Sequence, residues 1–352
     1  MVSVTLSSSK PFASLRSLGL WLLGVAAMIF AMAVIGAITR LTESGLSIME
    51  WAPVTGTLPP LSTAEWERVF ALYRTIPEYQ LINAGMTLEE FKTIFWWEWI
   101  HRLWGRLIGL VYAVPFIWFL WRRKLPGWLV PHLWIALALG ALQGFMGWYM
   151  VASGFTDRTD VSQYRLVMHL GLALVIYGYL LVLALRLLEP PSLEAQNTTA
   201  LRWATLGLLG LLVVTLVSGG LVAGLNAGLV YNSYPYMDGE IVPRGYGLLQ
   251  PWLMNWFENP TAVQFNHRFL AHLVVIGALL LAVWGWLRGV NGSQKQALAL
   301  VALAAVGQFL LGIVTLINVV PVSLGALHQA GAILLLSALL LLLHRCRGPV
   351  AA

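Results

Sequence analysis

Eight apolar runs of about membrane-spanning length dominate this chain and leave little room for a soluble fold. A helix needs about 20 mostly apolar residues to cross a bilayer. Runs of that kind occupy residues 18–38, 101–121, 128–151, 166–185, 203–225, 269–287, 297–317 and 322–343. Inside hydrocarbon every backbone N–H and C=O must be satisfied within the protein, so these runs predict helices. Only 10% of the 352 residues are charged, against about 25% in a soluble domain. The expected fold is an all-α polytopic membrane protein with eight transmembrane helices. The first run is read as a retained helix, because the Ser-rich stretch before it is too short for a cleavable leader as well.

The net charge of +6 does not point to nucleic acid once its distribution is considered. With the N-terminus placed inside, Lys10, Arg16, Arg122, Arg123, Lys124, Arg186, Arg202, Arg288, Lys295, Arg345 and Arg347 fall in cytoplasmic segments, against Glu189 and Glu194. That is a positive-inside bias, and it predicts cytoplasmic termini. The long connections, 39–100 and 226–268, are then external. The first contains two stretches, 62–73 and 87–97, with the composition of short amphipathic helices, and Ser62 with Glu65 forms a capping signal. A lone cysteine, Cys346 in the expected cytoplasmic tail, excludes an intramolecular disulfide or a multi-cysteine metal cluster.

The unequal connections suggest a duplication. Glu98-Trp99-Ile100-His101-Arg102 returns as Gln264-Phe265-Asn266-His267-Arg268, and Gln143 with Gly147 returns as Gln308 with Gly312. Gly45-Leu46 and Gly56 to Pro60 return as Gly228-Leu229 and Gly239 to Pro243, and His169 answers His328. Four helices separate the equivalents, so the copies share one orientation. The predicted arrangement is two pseudo-symmetric four-helix bundles, residues 1–190 and 191–352.

Of the seven histidines, His101, His169, His267 and His328 sit at or near the external start of the second, fourth, sixth and eighth helices. Ionisable side chains within membrane helices are functional candidates by default. Without cysteine or clustered acid beside them, paired imidazoles on facing helices suit haem iron; the alternative is four interfacial histidines without a ligand. His132 and His344 fall at the opposite helix ends, and His272 projects from another face than His267. Arg102 and Arg268 follow two of the histidines, either as bidentate donors to haem propionates or as helix-end charges reaching water. Glu98 lies three residues before His101, on the same face, and either moves protons beside a ligand or pairs with Arg102. Its counterpart Gln264 cannot titrate. That inequality suggests a reacting haem in the first half and a structural or electron-relay haem in the second.

Taken together, 39–47 (Thr39 to Ser47), Trp51 with Pro53, Gly56 to Pro60, Glu98-x-x-His101-Arg102, Gln143-Gly144-x-x-Gly147-Trp148 and the remaining histidines resemble the heme A synthase family over nearly the whole chain. The resemblance implies oxidation of a methyl group of heme O to the formyl group of heme A, through an alcohol and a gem-diol that loses water. It implies haem b on His267 and His328, the substrate haem near His101 and His169, and Glu98 as the catalytic acid. The chain lacks the loop cysteine pair of some members, so it resembles the cysteine-free branch. Implied partners are heme O, O2 and an unidentified electron donor, with heme O synthase and the cytochrome oxidase assembly machinery as further candidates in a bacterial inner membrane; a homo-oligomer is left open. Two other classes remain compatible with the residues, a diheme electron-transfer cytochrome b and a haem assembly or transport factor without turnover.

Overall fold

A computed structural model describes residues 11–52, 55–155, 158–189 and 198–347; Lys10, Pro53 and Glu194 lie outside them. The eight membrane-length helices are α1 (Pro11–Leu41), α4 (Leu88–Trp121), α5 (Leu129–Val151), α6 (Gln163–Leu188), α7 (Thr198–Gly224), α9 (Pro260–Leu287), α10 (Gly292–Ile317) and α11 (Val322–Arg345). Shorter helices α2 (Thr63–Tyr73) and α3 (Pro77–Leu81) lie in the first long connection, and α8 (Asn255–Glu258) in the second.

The first four long helices contact one another in a ring, α1 on α4, α4 on α5, α5 on α6 and α6 on α1. The last four repeat it, α7 on α9, α9 on α10, α10 on α11 and α11 on α7. This neighbour pattern is consistent with two four-helix groups. They meet where α1, α6, α7 and α11 pack together, and the side chains buried there include Leu22, Leu180, Leu183, Leu201, Leu339 and Leu342. Tyr177 of α6 and Ser337 of α11 hydrogen-bond across this junction at 2.7 Å, satisfying two polar groups that lipid cannot. Cys346, placed by the sequence in the tail after the last helix, is buried at the C-cap of α11.

Helix starts depart from expectation in one informative way. α2 begins as predicted, with the Ser62 side chain accepting from the Glu65 backbone N–H. The stretch from Thr87, expected to be a separate helix, instead opens α4 through a capping box between Thr87 and Glu90, and α4 runs unbroken for 34 residues. No proline or glycine interrupts the chain between Glu89 and Arg102, so nothing stops the helix there. Its early turns carry Phe91 and Phe95, which pack with Phe70 and Tyr73 of the first connection; Phe70 and Phe91 stack at 4.9 Å. In the second half the corresponding path is broken at Asn259, whose side chain caps α9, with Pro260 at the first position of that helix.

Candidate functional site

The four histidines occupy one recurring niche, built by a helix that lacks a side chain where an imidazole must fit. A Cβ on Gly36 of α1 would lie 3.1 Å from His101 Cε1, and one on Gly219 of α7 would lie 3.0 Å from His267 Cε1. The same holds for Gly147 against His169 at 3.1 Å and Gly312 against His328 at 2.8 Å. Each imidazole thus rests on the preceding long helix of its own group. All four remain partly exposed, leaving an edge for a ligand. His169, His267 and His328 lie six or seven residues into their helices, about 10 Å from the start. His101 is thirteen residues into α4 because that helix begins earlier.

Two polar arrangements repeat with the histidines. Gln143 Nε2 donates to the His169 carbonyl at 3.1 Å and touches the ring at Nδ1 at 3.2 Å. Gln308 Nε2 does the same to the His328 carbonyl at 2.9 Å and to Nδ1 at 3.0 Å. The two arginines also act alike: Arg102 donates to the carbonyls of Glu50 (2.9 Å) and Ile48 (2.7 Å), and Arg268 to those of Ser233 (2.8 Å) and Tyr231 (2.7 Å). Each therefore clamps its connection onto the helix that bears the histidine. Glu43 and Asn226, two residues before Gly45 and Gly228, both adopt left-handed backbone, with φ 52° and 51°.

The halves diverge at the carboxylate. Glu98 is 3% exposed and fully engaged. Its Oε2 accepts from Ser47 Oγ (2.8 Å) and the Ile48 N–H (2.7 Å), and its Oε1 from Arg102 Nε (3.0 Å) and Nη2 (2.5 Å). Gln264 is equally buried, but its Nε2 donates to the Tyr231 carbonyl at 2.9 Å. Beside Glu98 a cleft of about 230 Å³ runs between the first connection and α4, lined by Ile48, Glu50, Gly56, Trp99, Arg102 and Arg106 among others. Arg68 at its rim bridges Glu50 and Glu65 at 2.7 and 2.8 Å, and holds the Glu50 carboxyl below its ordinary pKa.

The histidines can be tested against a haem iron directly. The rings of His267 and His328 are 6.5 Å apart, centre to centre, and nearly perpendicular at 85°. That spacing suits one metal ion between two ring nitrogens at about 2 Å each. His101 and His169 lie within electrostatic reach of one another. Buried polar atoms without partners gather at these places: His101 Nδ1, Gln143 Oε1, Gln264 Oε1, Arg268 Nε and Gln308 Oε1. A polar-edged ligand between the helices fits that residue set. Among the described residues no cluster of His, Cys, Asp and Glu suits a bare metal ion.

The sequence profile of the COX15-CtaA cytochrome oxidase assembly proteins matches residues 19–340. The chain belongs to the COX15-CtaA family. Among COX15-CtaA relatives, a protein named heme A synthase from Rhodospirillum centenum is 49% identical over 99% of this chain and 94% of its own length. One of that name from Parvibaculum lavamentivorans is 47% identical over 96% of both, and one from a Bradyrhizobium species is 50% identical over 92% and 89%.

In this COX15-CtaA protein the remaining histidines have local partners. His272 bonds the Arg268 carbonyl (2.7 Å) and Tyr234 hydroxyl (3.0 Å), His132 the Tyr179 hydroxyl (2.6 Å), and His344 the Glu189 carbonyl (2.9 Å). Sequence reasoning missed Gly36, Gly219, Ser47 and Ser218 as parts of the site. The signal was available for the glycines: Gly36 and Gly45 stand nine residues apart, as do Gly219 and Gly228.

Proposed function

We propose that this protein is a heme A synthase, an oxidoreductase that converts the methyl group of heme O to the formyl group of heme A. In this reading the substrate haem lies between His101 and His169, in the half spanning residues 1–190. A resident haem b lies between His267 and His328, in the half spanning 191–352, and supplies electron transfer when bound. O2 and a reductant whose identity stays open complete the reaction. The long connections and both haem sites face away from the cytoplasm of a bacterial inner membrane, with both termini inside, as the distribution of Arg and Lys favours.

The observation that carries this reading is the Glu98/Gln264 exchange inside an otherwise repeated network. Arg102 and Arg268 grip their connections through equivalent pairs of carbonyls, yet only the first half places a carboxylate there. Glu98 is the group to hold or move a proton beside the reacting haem, and four donors fix its position. Ser47 and the Ile48 N–H aim Oε2, while Arg102 pairs with Oε1 through two N–H donors. Arg102 and Arg268, with donors directed at backbone carbonyls, act on any propionate chiefly through charge. A chain that only relayed electrons would have no use for the difference between Glu98 and Gln264.

The test is production of the chain with a heme O-forming enzyme in a host that makes no heme A, followed by extraction of haems. Hydroxylated heme and heme A are expected. Heme O alone, from a folded, haem-loaded chain with a working reductant, overturns the proposal. His267→Ala or His328→Ala is expected to disturb the haem b spectrum more than His101→Ala or His169→Ala, and equal loss at all four undoes the assignment of halves.

A further inference from the structure

The two imidazoles that lie against α1 and α7 differ in what holds their second nitrogen. Ser218, immediately before the glycine under His267, is 8% exposed and its Oγ is 2.8 Å from His267 Nδ1. The same Oγ donates to the Thr215 carbonyl at 2.7 Å. A serine hydroxyl has one hydrogen; given to the Thr215 carbonyl, it leaves Ser218 to accept from His267 Nδ1–H, the tautomer in which Nε2 is free to ligate. In the other half the residue before the glycine is Ile35, which offers no polar atom, and His101 Nδ1 is buried without a hydrogen-bond partner.

We infer that Ser218 is a positioning residue that locks His267 as a ready metal ligand, and that Ile35 leaves His101 as the exchangeable ligand of its own pair. The inference rests on the assignment of a resident haem to the second half and a substrate haem to the first. A hydrogen bond to the distal nitrogen orients a ligating imidazole and raises its basicity, and its loss typically lowers metal affinity about 10- to 100-fold. A resident group gains from such a lock. A substrate that must leave after oxidation is better served by an imidazole without one.

The experiment is haem release from the purified full-length, haem-loaded chain to an excess of apomyoglobin, with an optical redox titration of the haem that remains. Ser218→Ala is expected to speed release of the slowly exchanging haem about 10- to 100-fold and to shift its midpoint potential. Ser218→Thr, which keeps the hydroxyl, is expected to restore both. Ile35→Ser is expected to slow release of the faster haem. Release and midpoint unchanged in Ser218→Ala, or no rescue by Ser218→Thr, overturns the role of Ser218. An unchanged fast phase in Ile35→Ser overturns the role of Ile35. None of these readings requires turnover, so a wild-type chain that forms no heme A would remove the proposed function and leave this test intact.

Discussion

The two halves of the molecule place the same backbone around their histidines and different polar atoms upon it. Each half has a glycine beneath each imidazole, a glutamine against the second histidine, and an arginine that clamps a connection through two carbonyls. The first half places its extra polar groups on the connection side, where Ser47 and Glu98 meet at 2.8 Å. The second half places its own on the helix side, where Ser218 meets His267 at 2.8 Å. A repeated scaffold thus surrounds four imidazoles, with a buried carboxylate network added in one half and a hydroxyl against the imidazole in the other. The shared features are those that set helix separation; the divergent ones set chemistry.

The comparison can be broken first at the carboxylate. Glu98→Gln is expected to lower heme A formation about 10²- to 10⁴-fold, the range for losing a positioned proton-transfer group, while the haem b spectrum persists. Extracted haems and difference spectra check both, and unimpaired heme A output would remove Glu98 from the mechanism. The glycine seats come next. Gly312→Ala places a methyl 2.8 Å from His328 Cε1, closer than carbon atoms tolerate, so haem content of the purified chain should fall sharply. Gly36→Ala and Gly147→Ala, at 3.1 Å, should have a smaller effect; equal losses at all three would mean the seats do not set ligand position.

Ser47→Ala sharpens the comparison further. It removes one of the four donors to Glu98, at a cost of about 1–3 kcal/mol for a buried group left short of a partner. Turnover should drop while haem binding in the second half stays at the wild-type level. The smallest effect is expected at Glu78 in α3. Its carboxyl is 4% exposed, and burial, helped by Glu43 and Glu98 nearby, pushes its pKa from 4.5 to about 8. The penalty falls on the charged form, so its protonated form favours the folded connection below about pH 4.5. That contribution is lost as pH rises through about 8. Protection from hydrogen exchange in α2 and α3, corrected for the intrinsic pH dependence of exchange, should fall across that window in the wild type and not in Glu78→Gln.

How much of this was legible beforehand depended on what kind of physics fixed each feature. The eight spans follow from hydrophobicity alone, and all eight appear as membrane-length helices. The start of α4 was misplaced because its first turns are amphipathic and polar enough to look like a separate element. The capping box at Thr87 and the aromatic contacts of Phe91 and Phe95 carry the helix through without a break. The histidine pairs and the Glu98/Gln264 difference could be read because ionisable residues are rare in such helices. Gly36, Gly219 and Ser218 could not be singled out in the same way. Small residues are common in membrane helices, and their value lies in what stands opposite them in space.

The unbroken course of α4 has one more consequence. Residues from Leu88 to His101 form a single stiff rod whose outer turns are embedded in the aromatic cluster of the first connection. Between those turns and His101 the helix has no break at which a tilt would be absorbed. In the second half the joint exists, at Asn259 and Pro260, and motion of that connection can dissipate before His267. One imidazole stands on a helix continuous with the aromatic cluster of its connection, and the other on a helix that begins afresh at Asn259.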